Sequence, residues 1–265
     1  MIFDDFDYIA LAVSAFLTIL AMLVMSKLAK WLRLERTNFR GDRIPTGYGF
    51  VLALAASPLL IWQRLPLAAI AGFGTLGLID DIFGNREVGG FKGHIRLLTK
   101  GKVSTGLIKA VGGGLLGFSI GAYAAKGDPA IGILNGLVIC LCANTLNLLD
   151  LRPGRAVSCW WAGMLALAFI PAARLWVMYL LPLFIPVLWL SILDRSAKVM
   201  LGDAGSNALG AILGLTIALS LGVPAKILLI VFMAAVNIYS EKRSISRLIE
   251  SNGFLTRLDR LLGER

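Results

Sequence analysis

Residues 66–81 read PLAAIAGFGTLGLIDD, a run of apolar and glycine residues that gives out at two adjacent carboxylates, Asp80 and Asp81. An aspartate at mid-helix in a bilayer costs about 2.5–3.5 kcal/mol on insertion scales, so two acids ending a membrane-length segment call for a partner. Asp150 and Asp203 also end apolar stretches. The expectation is that all four acids meet at one membrane face.

The whole chain supports a membrane reading. Of its 265 residues 57% are hydrophobic and 16% charged, and the mean hydropathy is +0.79. These values point to an all-α, polytopic membrane protein rather than one or two soluble domains. The first apolar run, 8–25, follows Asp4, Asp5 and Asp7 with no basic lead and no small-residue cleavage site, so it reads as a retained span. The net charge of +10 does not indicate nucleic acid, because the cations occupy short loops between spans, where they set orientation. The partners they imply are anionic lipid and phosphate. Cys140, Cys142 and Cys159 lie in or beside apolar runs, with neither the number nor the spacing of a disulfide framework or zinc site.

Taking about 20 apolar residues per crossing gives about nine spans. They are 8–25, 48–62, 65–79, 105–125, 129–149, 156–172, 175–193, 207–221 and 225–239, the second and third also compatible with one re-entrant hairpin. The first loop carries six cations from Lys27 to Arg43 and the third carries five from Arg86 to Lys102, whereas the even loops hold only Arg64, Lys126, Arg174 and Lys226. This asymmetry predicts an outside N-terminus and a cytoplasmic C-terminus, with all four acids on the cytoplasmic side. The chain therefore divides into a membrane domain over 1–240 and a cytoplasmic tail over 241–265. In the tail, Ile245, Leu248, Ile249, Phe254, Leu255, Leu258, Leu261 and Leu262 recur at helical spacing, with Gly253 as a break. Such a tail either lies in the lipid interface or packs on the cytoplasmic loops.

Three constellations can carry chemistry. Asp80-Asp81 alone could be a solvated helix end. Asn144, Asn147 and Asp150 recur every three residues and share one face of an otherwise apolar helix. Interhelical glue rarely needs three polar groups in two turns, which favours a cavity suited to a hard cation or phosphate. Gly202-Asp203-Ala204-Gly205-Ser206-Asn207 forms a turn before an apolar helix, whose free amides suit a phosphate oxygen, although Ser206 or Asn207 could simply cap that helix. Lys109, inside the start of a span, must snorkel or pair. His94 sits alone in a basic loop and reads as a surface residue. Clustering at one face argues against a transporter, whose polar site would lie at the midplane.

The order Asp-Asp, Asn-x-x-Asn-x-x-Asp, Gly-Asp-x-Gly-Ser resembles the polyprenyl-phosphate N-acetylhexosamine-1-phosphate transferases, over about Arg43 to Gly210. The stretch Arg43-Ile44-Pro45-Thr46-Gly47-Tyr48-Gly49 is similar to that family's Pro-Thr-x-Gly-Gly segment, with the glycines spaced differently. The resemblance implies transfer of a sugar 1-phosphate from a nucleotide sugar, UDP-linked in the family, to polyprenyl (undecaprenyl) phosphate, at the inner face of the bacterial cytoplasmic membrane. It implies a magnesium cofactor, with manganese as the alternative, and a homodimer. Carried over by position, Asp203, Asp80 and Asp81 are the metal and catalytic residues, the Asp-Asp pair positioning or deprotonating the lipid phosphate. Asn144, Asn147, Asp150, Lys109, Arg43 and Arg152 are the substrate-binding residues. Two departures stand out: Pro153 occupies the place of the family's second acid after Asp150, and residues 241–262 stand where the family carries a histidine-rich segment. Arg152 or Arg155 could instead meet a diphosphate. The alternative function is a non-catalytic relative that binds polyprenyl phosphate or regulates a partner.

Overall fold

A computed structural model of the chain describes residues 5–38, 40–56, 63–84, 93 and 97–262. Among the described residues the protein is all-α apart from one small hairpin. Its first helix is α1 (Asp5–Trp31), followed by the paired strands β1 (Glu35–Thr37) and β2 (Arg43–Pro45) and the short α2 (Val51–Ala56). Next come α3 (Arg64–Phe83), α4 (Thr105–Ala124), α5 (Pro129–Leu149), α6 (Arg155–Ala168), α7 (Pro171–Tyr179) and α8 (Leu181–Arg195). The chain closes with α9 (Gly202–Ser220), α10 (Val223–Lys242) and the tail helices α11 (Ile245–Ser251) and α12 (Gly253–Leu262).

Among the described residues, five helices (α1, α3, α4, α5 and α10) are long and apolar enough to cross a membrane, and a sixth span results if α7 and α8 count as one. Their outer surfaces expose Phe16, Leu23, Leu115, Leu228 and Phe232, a lining that water would not tolerate over so many turns. The other expected spans differ for physical reasons. The 156–172 window forms a 14-residue helix, roughly 21 Å long against a hydrocarbon core of about 30 Å. The 175–193 window breaks by 73° at Leu180, where Pro182 opens α8. In the 48–62 window a 3-10 turn and α2 extend to Ala56, and 57–62 lie outside the described residues. Lys226, counted from sequence among the loop cations, is buried in the first turn of α10, where its Nζ donates to Asn135 Oδ1 at 2.7 Å.

Local signals explain the helices that matter most. Asp128 caps α5, its carboxylate accepting the Ala130 and Ile131 amides at 2.9 and 3.1 Å, and Pro129 occupies the first turn, where its missing N–H costs nothing. Ser104 caps α4 through the Leu107 amide at 3.2 Å. Helix α9 is the centre of the bundle: from Gly202 to Ala218 every residue except Asp203 is buried. Its glycines let it approach backbone directly, as small residues do between membrane helices. A Cβ on Gly210 would collide with the Ala143 and Cys142 backbone of α5, and one on Gly77 of α3 would collide with the Asp203 carbonyl.

The loops at the α9 N-terminal end are stitched together. In the hairpin, Arg36 faces Ile44, and at the end of β2 the Pro45 carbonyl accepts the Met200 amide at 2.7 Å. The Tyr48 and Gly49 amides return bonds to Met200 and Leu201 at 3.2 and 2.8 Å. The tail packs on the protein: Arg155, at the start of α6, forms a buried ion pair with Asp259 of α12 and donates to Ser246 of α11 at 2.9 Å. The helices break at Asn252, whose side chain accepts the Phe254 and Leu255 amides, rather than through any conformational freedom of Gly253.

Close packing around α9 predicts a large glycine effect. Gly210→Val should lower stability by about 1–3 kcal/mol or more, through overpacking. Gly114→Val, where nothing lies within 4 Å of the added Cβ, should change it far less. Thermal unfolding in detergent, followed by size-exclusion of the soluble fraction, reads the difference.

Candidate active site

The four acids come together where α3 ends, α4 begins, α5 ends and α9 begins. Asp81 is 7% exposed, and its carboxylate caps α9 from another helix: Oδ1 accepts the Asp203 amide at 3.1 Å and Oδ2 the Ala204 amide at 3.0 Å. Gly202 is required for this junction, having φ +72° and a position where a Cβ would meet the Asp81 carboxylate. The first turn of α9 therefore gives two of its amides to Asp81, where the sequence suggested a phosphate oxygen. Neither Ser206 nor Asn207 serves as the cap. Ser206 donates to the Gly202 carbonyl at 2.9 Å, and Asn207 donates to the Asp203 carbonyl at 2.6 Å.

Asp80 points elsewhere, because neighbours on a helix diverge by about 100°. Its Oδ2 lies 2.8 Å from Lys109 Nζ, and the same ammonium donates to Asp203 Oδ2. The Asp80 and Asp203 carboxylates are also within hydrogen-bonding reach of each other. Asn147 Nδ2 donates to Asp203 Oδ1 at 2.9 Å and to Ser206 Oγ at 3.1 Å, and Asp150 lines the same cavity. The motifs expected to meet do meet, with Lys109 as their common counter-ion.

These groups line a cavity of about 1320 Å³ that also takes in Arg36, Asn144, Arg152, Pro153 and Asp194. Asn144 serves two ends. It lines the cavity, and its amide donates to Asn237 of α10, which in turn donates to Thr145 Oγ1 at 2.9 Å. Two expectations are corrected. Arg43 does not line the cavity: it lies on β2, exposed, with Nε 3.4 Å from Glu35 Oε2, because the hairpin directs it to solvent. Arg155 does not line it either, being committed to Asp259 and Ser246. His94 lies outside the described residues.

Two further residues carry the site without having been singled out from sequence. Arg36 Nη2 donates to the Asp81 carbonyl at 3.1 Å, placing a guanidinium in the cavity wall. Nothing distinguishes it in a six-cation loop until the strand pairing is known. Asp194, 3% exposed, accepts the Gly154 amide at 2.8 Å and the Leu201 amide at 3.2 Å, tying the loop after α5 to the turn before α9. Its signal was present: like the other acids, it ends an apolar run.

Five aspartates, Asp80, Asp81, Asp150, Asp194 and Asp203, line the cavity together with Arg36, Lys102, Lys109 and Arg152, and Asp80 and Asp203 share the single Lys109 ammonium. Among the described residues no three acidic, histidine or cysteine side chains converge as a metal cage. Magnesium, however, commonly takes only one or two carboxylates and completes its shell with water and substrate phosphate. The Asp80–Asp203 pair, all oxygen and under-neutralised, fits that mode. Neither the models of known protein families nor the curated proteins contain a match to this sequence.

Burial pushes the Asp150 carboxyl well above the usual carboxylate range, and the charges of Asp194, Asp203 and Asp81 act in the same direction. The folded chain thus holds this proton more tightly than the unfolded chain. The stabilisation is full below the unfolded value of about 4 and is lost as pH rises through the raised folded value. Asp150→Asn should therefore gain thermal stability relative to the parent as pH is raised from about 5 to about 8 without divalent cation. Melting curves across that range check the sign.

Proposed function

We propose that the protein is a magnesium-dependent phosphoglycosyl transferase of the bacterial cytoplasmic membrane, with its active face cytoplasmic. It moves a sugar 1-phosphate from a nucleotide amino sugar, UDP-linked in the first instance, to polyprenyl phosphate in cell-envelope polysaccharide synthesis. The observation that carries this reading is the convergence of Asp80, Lys109, Asn147 and Asp203, from four helices, in one roomy cavity at one end of apolar spans. The cavity exceeds the ~300–1,000 Å³ of ordinary ligand pockets, as two substrates require.

In the reaction, an oxygen of the lipid phosphate forms a bond to the phosphorus that carries the sugar. The bond from that phosphorus to the bridging oxygen breaks, and the nucleoside monophosphate leaves with the electron pair. Asp80 orients the lipid phosphate or takes its remaining proton. Lys109 turns its ammonium from the carboxylates toward phosphate oxygens, and Asn147 holds Asp203 in place. Magnesium, or manganese in its stead, would be held by Asp80 and Asp203 and would supply charge neutralisation at the transferred phosphoryl group. Asp81 acts as the cap that fixes α9, so its contribution is positional.

Purified protein given undecaprenyl phosphate, magnesium and a UDP-N-acetylhexosamine should release UMP, and chelation should stop it. Asp80→Asn and Asp203→Asn should each reduce turnover by about 10²-fold or more with little loss of stability. Asp81→Asn should instead lower the melting temperature, because it weakens acceptance of two buried amides.

One observation favours a second reading, a non-catalytic relative that binds polyprenyl phosphate or a partner enzyme: Lys109 already engages both carboxylates that a metal would need. Under that reading no sugar nucleotide yields a nucleoside monophosphate, and Asp203→Ala retains biological function.

A further inference from the structure

The segment 150–154 is a stretch of cavity wall with no helix of its own, between α5 and α6, and it is where this chain departs from the motif its other residues resemble. Asp150, Leu151, Arg152 and Pro153 all line the cavity. From inside, the segment is pinned by Asp194, which accepts the Gly154 amide. From outside it is pinned by the tail. Arg155, one residue beyond the wall, is gripped at three points: Nη2 donates to Asp259 Oδ2 at 2.8 Å, Nε pairs with Asp259 Oδ1, and Nη1 donates to Ser246 at 2.9 Å. Both members of the ion pair are almost fully buried, at 4% and 7% exposure. Arg152 reaches Glu250 of α11 at 3.5 Å with both side chains about half exposed (40% and 45%). One contact is therefore closed to water and rigid, while the other is open and loose.

We propose that the tail helices α11 and α12 form a strap that sets the geometry of the 150–154 wall, with Arg155 and Asp259 as positioning residues. The strap presents the Arg152 guanidinium to a diphosphate, and Glu250 holds it until the anion arrives. This deepens the transferase reading and rests on it for the identity of the anion as a nucleoside diphosphate. The exchange is chemically matched. A guanidinium binds phosphate oxygens bidentately, and a diphosphate carries more charge than the glutamate it displaces. It also gives a physical use to the basic residue that stands beside Pro153, where an acid would repel the same group.

Two measurements on the full-length chain test the strap. The first places a nitroxide at Leu151→Cys, with the three native cysteines replaced by alanine. Leu151 is 63% exposed, so the probe moves in the parent; its mobility should rise in Asp259→Asn and return to the parent value in Asp259→Glu, which keeps the carboxylate. The second measures UDP binding on the unlabelled chain. Arg152→Gln should weaken it by about tenfold and Asp259→Asn by about fivefold, whereas Glu250→Gln, which leaves the tail docked, should tighten it by about two- to threefold. A probe no more mobile in Asp259→Asn than in the parent overturns the proposal, as does a parent that binds UDP with an affinity unmoved by Asp259→Asn and Glu250→Gln. If the parent binds no UDP, the transferase reading falls, and the nitroxide series alone decides the strap.

Discussion

The Asp81 carboxylate at the N-terminus of α9 is the contact on which the rest of the site depends. A helix start leaves four amides without intrahelical partners, and a buried unsatisfied amide costs about 1–3 kcal/mol. Helix α9 starts among the ends of α3, α4 and α5, with Gly202 and Ala204 buried, and its own sequence offers no capping side chain in the right place. Asp81 supplies two acceptor oxygens at once and places its negative charge at the positive end of the helix dipole. These charge-assisted bonds offset part of the cost of burying a carboxylate, and the turn geometry at Gly202 makes the approach possible.

Much follows from that one contact. With Asp81 turned to α9, the helical twist turns Asp80 to α4, and Lys109 meets it there. Once α9 begins at Gly202, Asp203 falls in its first turn, within reach of Lys109 and of Asn147 from α5. The first loop joins the same junction: Arg36 binds the carbonyl of Asp81 while Tyr48 and Gly49 pair with Met200 and Leu201. The two adjacent acids thus divide their labour by geometry, one holding the scaffold and one facing the cavity.

The sequence makes some of this legible and hides the rest for definite reasons. The limits of α5 are read to the residue, because Asp128-Pro129 is a strong start signal and Asp150 ends an unbroken apolar run. The three-residue spacing of Asn144, Asn147 and Asp150 correctly places them on one face, since that follows from helix geometry alone. What spacing could not tell is which of Asp80 and Asp81 faces the cavity, because that is decided by α9, over 120 residues away in the chain. Arg43 and Arg36 look equivalent as loop cations, and only the strand register separates them. Helix α9 has a span-like pattern yet is buried on all sides, and the break at Leu180 interrupts a window that is apolar throughout.

The tail is the clearest case of pattern leaving two answers open. Amphipathic periodicity fits a helix on a lipid surface and a helix on protein equally well, and what decides between them is a buried charge. Asp259 lies on the inward side of α12, where lipid would leave it unpaired, and it finds Arg155 instead. Breaking such a buried pair by removing one partner costs about 3–5 kcal/mol, because the other charge is stranded, whereas a half-exposed pair such as Arg152–Glu250 contributes about 0–1 kcal/mol. On the proposed reading the difference separates exchange from support: the Arg155 contact is buried and stays, and the Arg152 contact is half exposed and can change partner. A wall anchored firmly at one end and loosely at the other can hold its shape while its guanidinium changes partners.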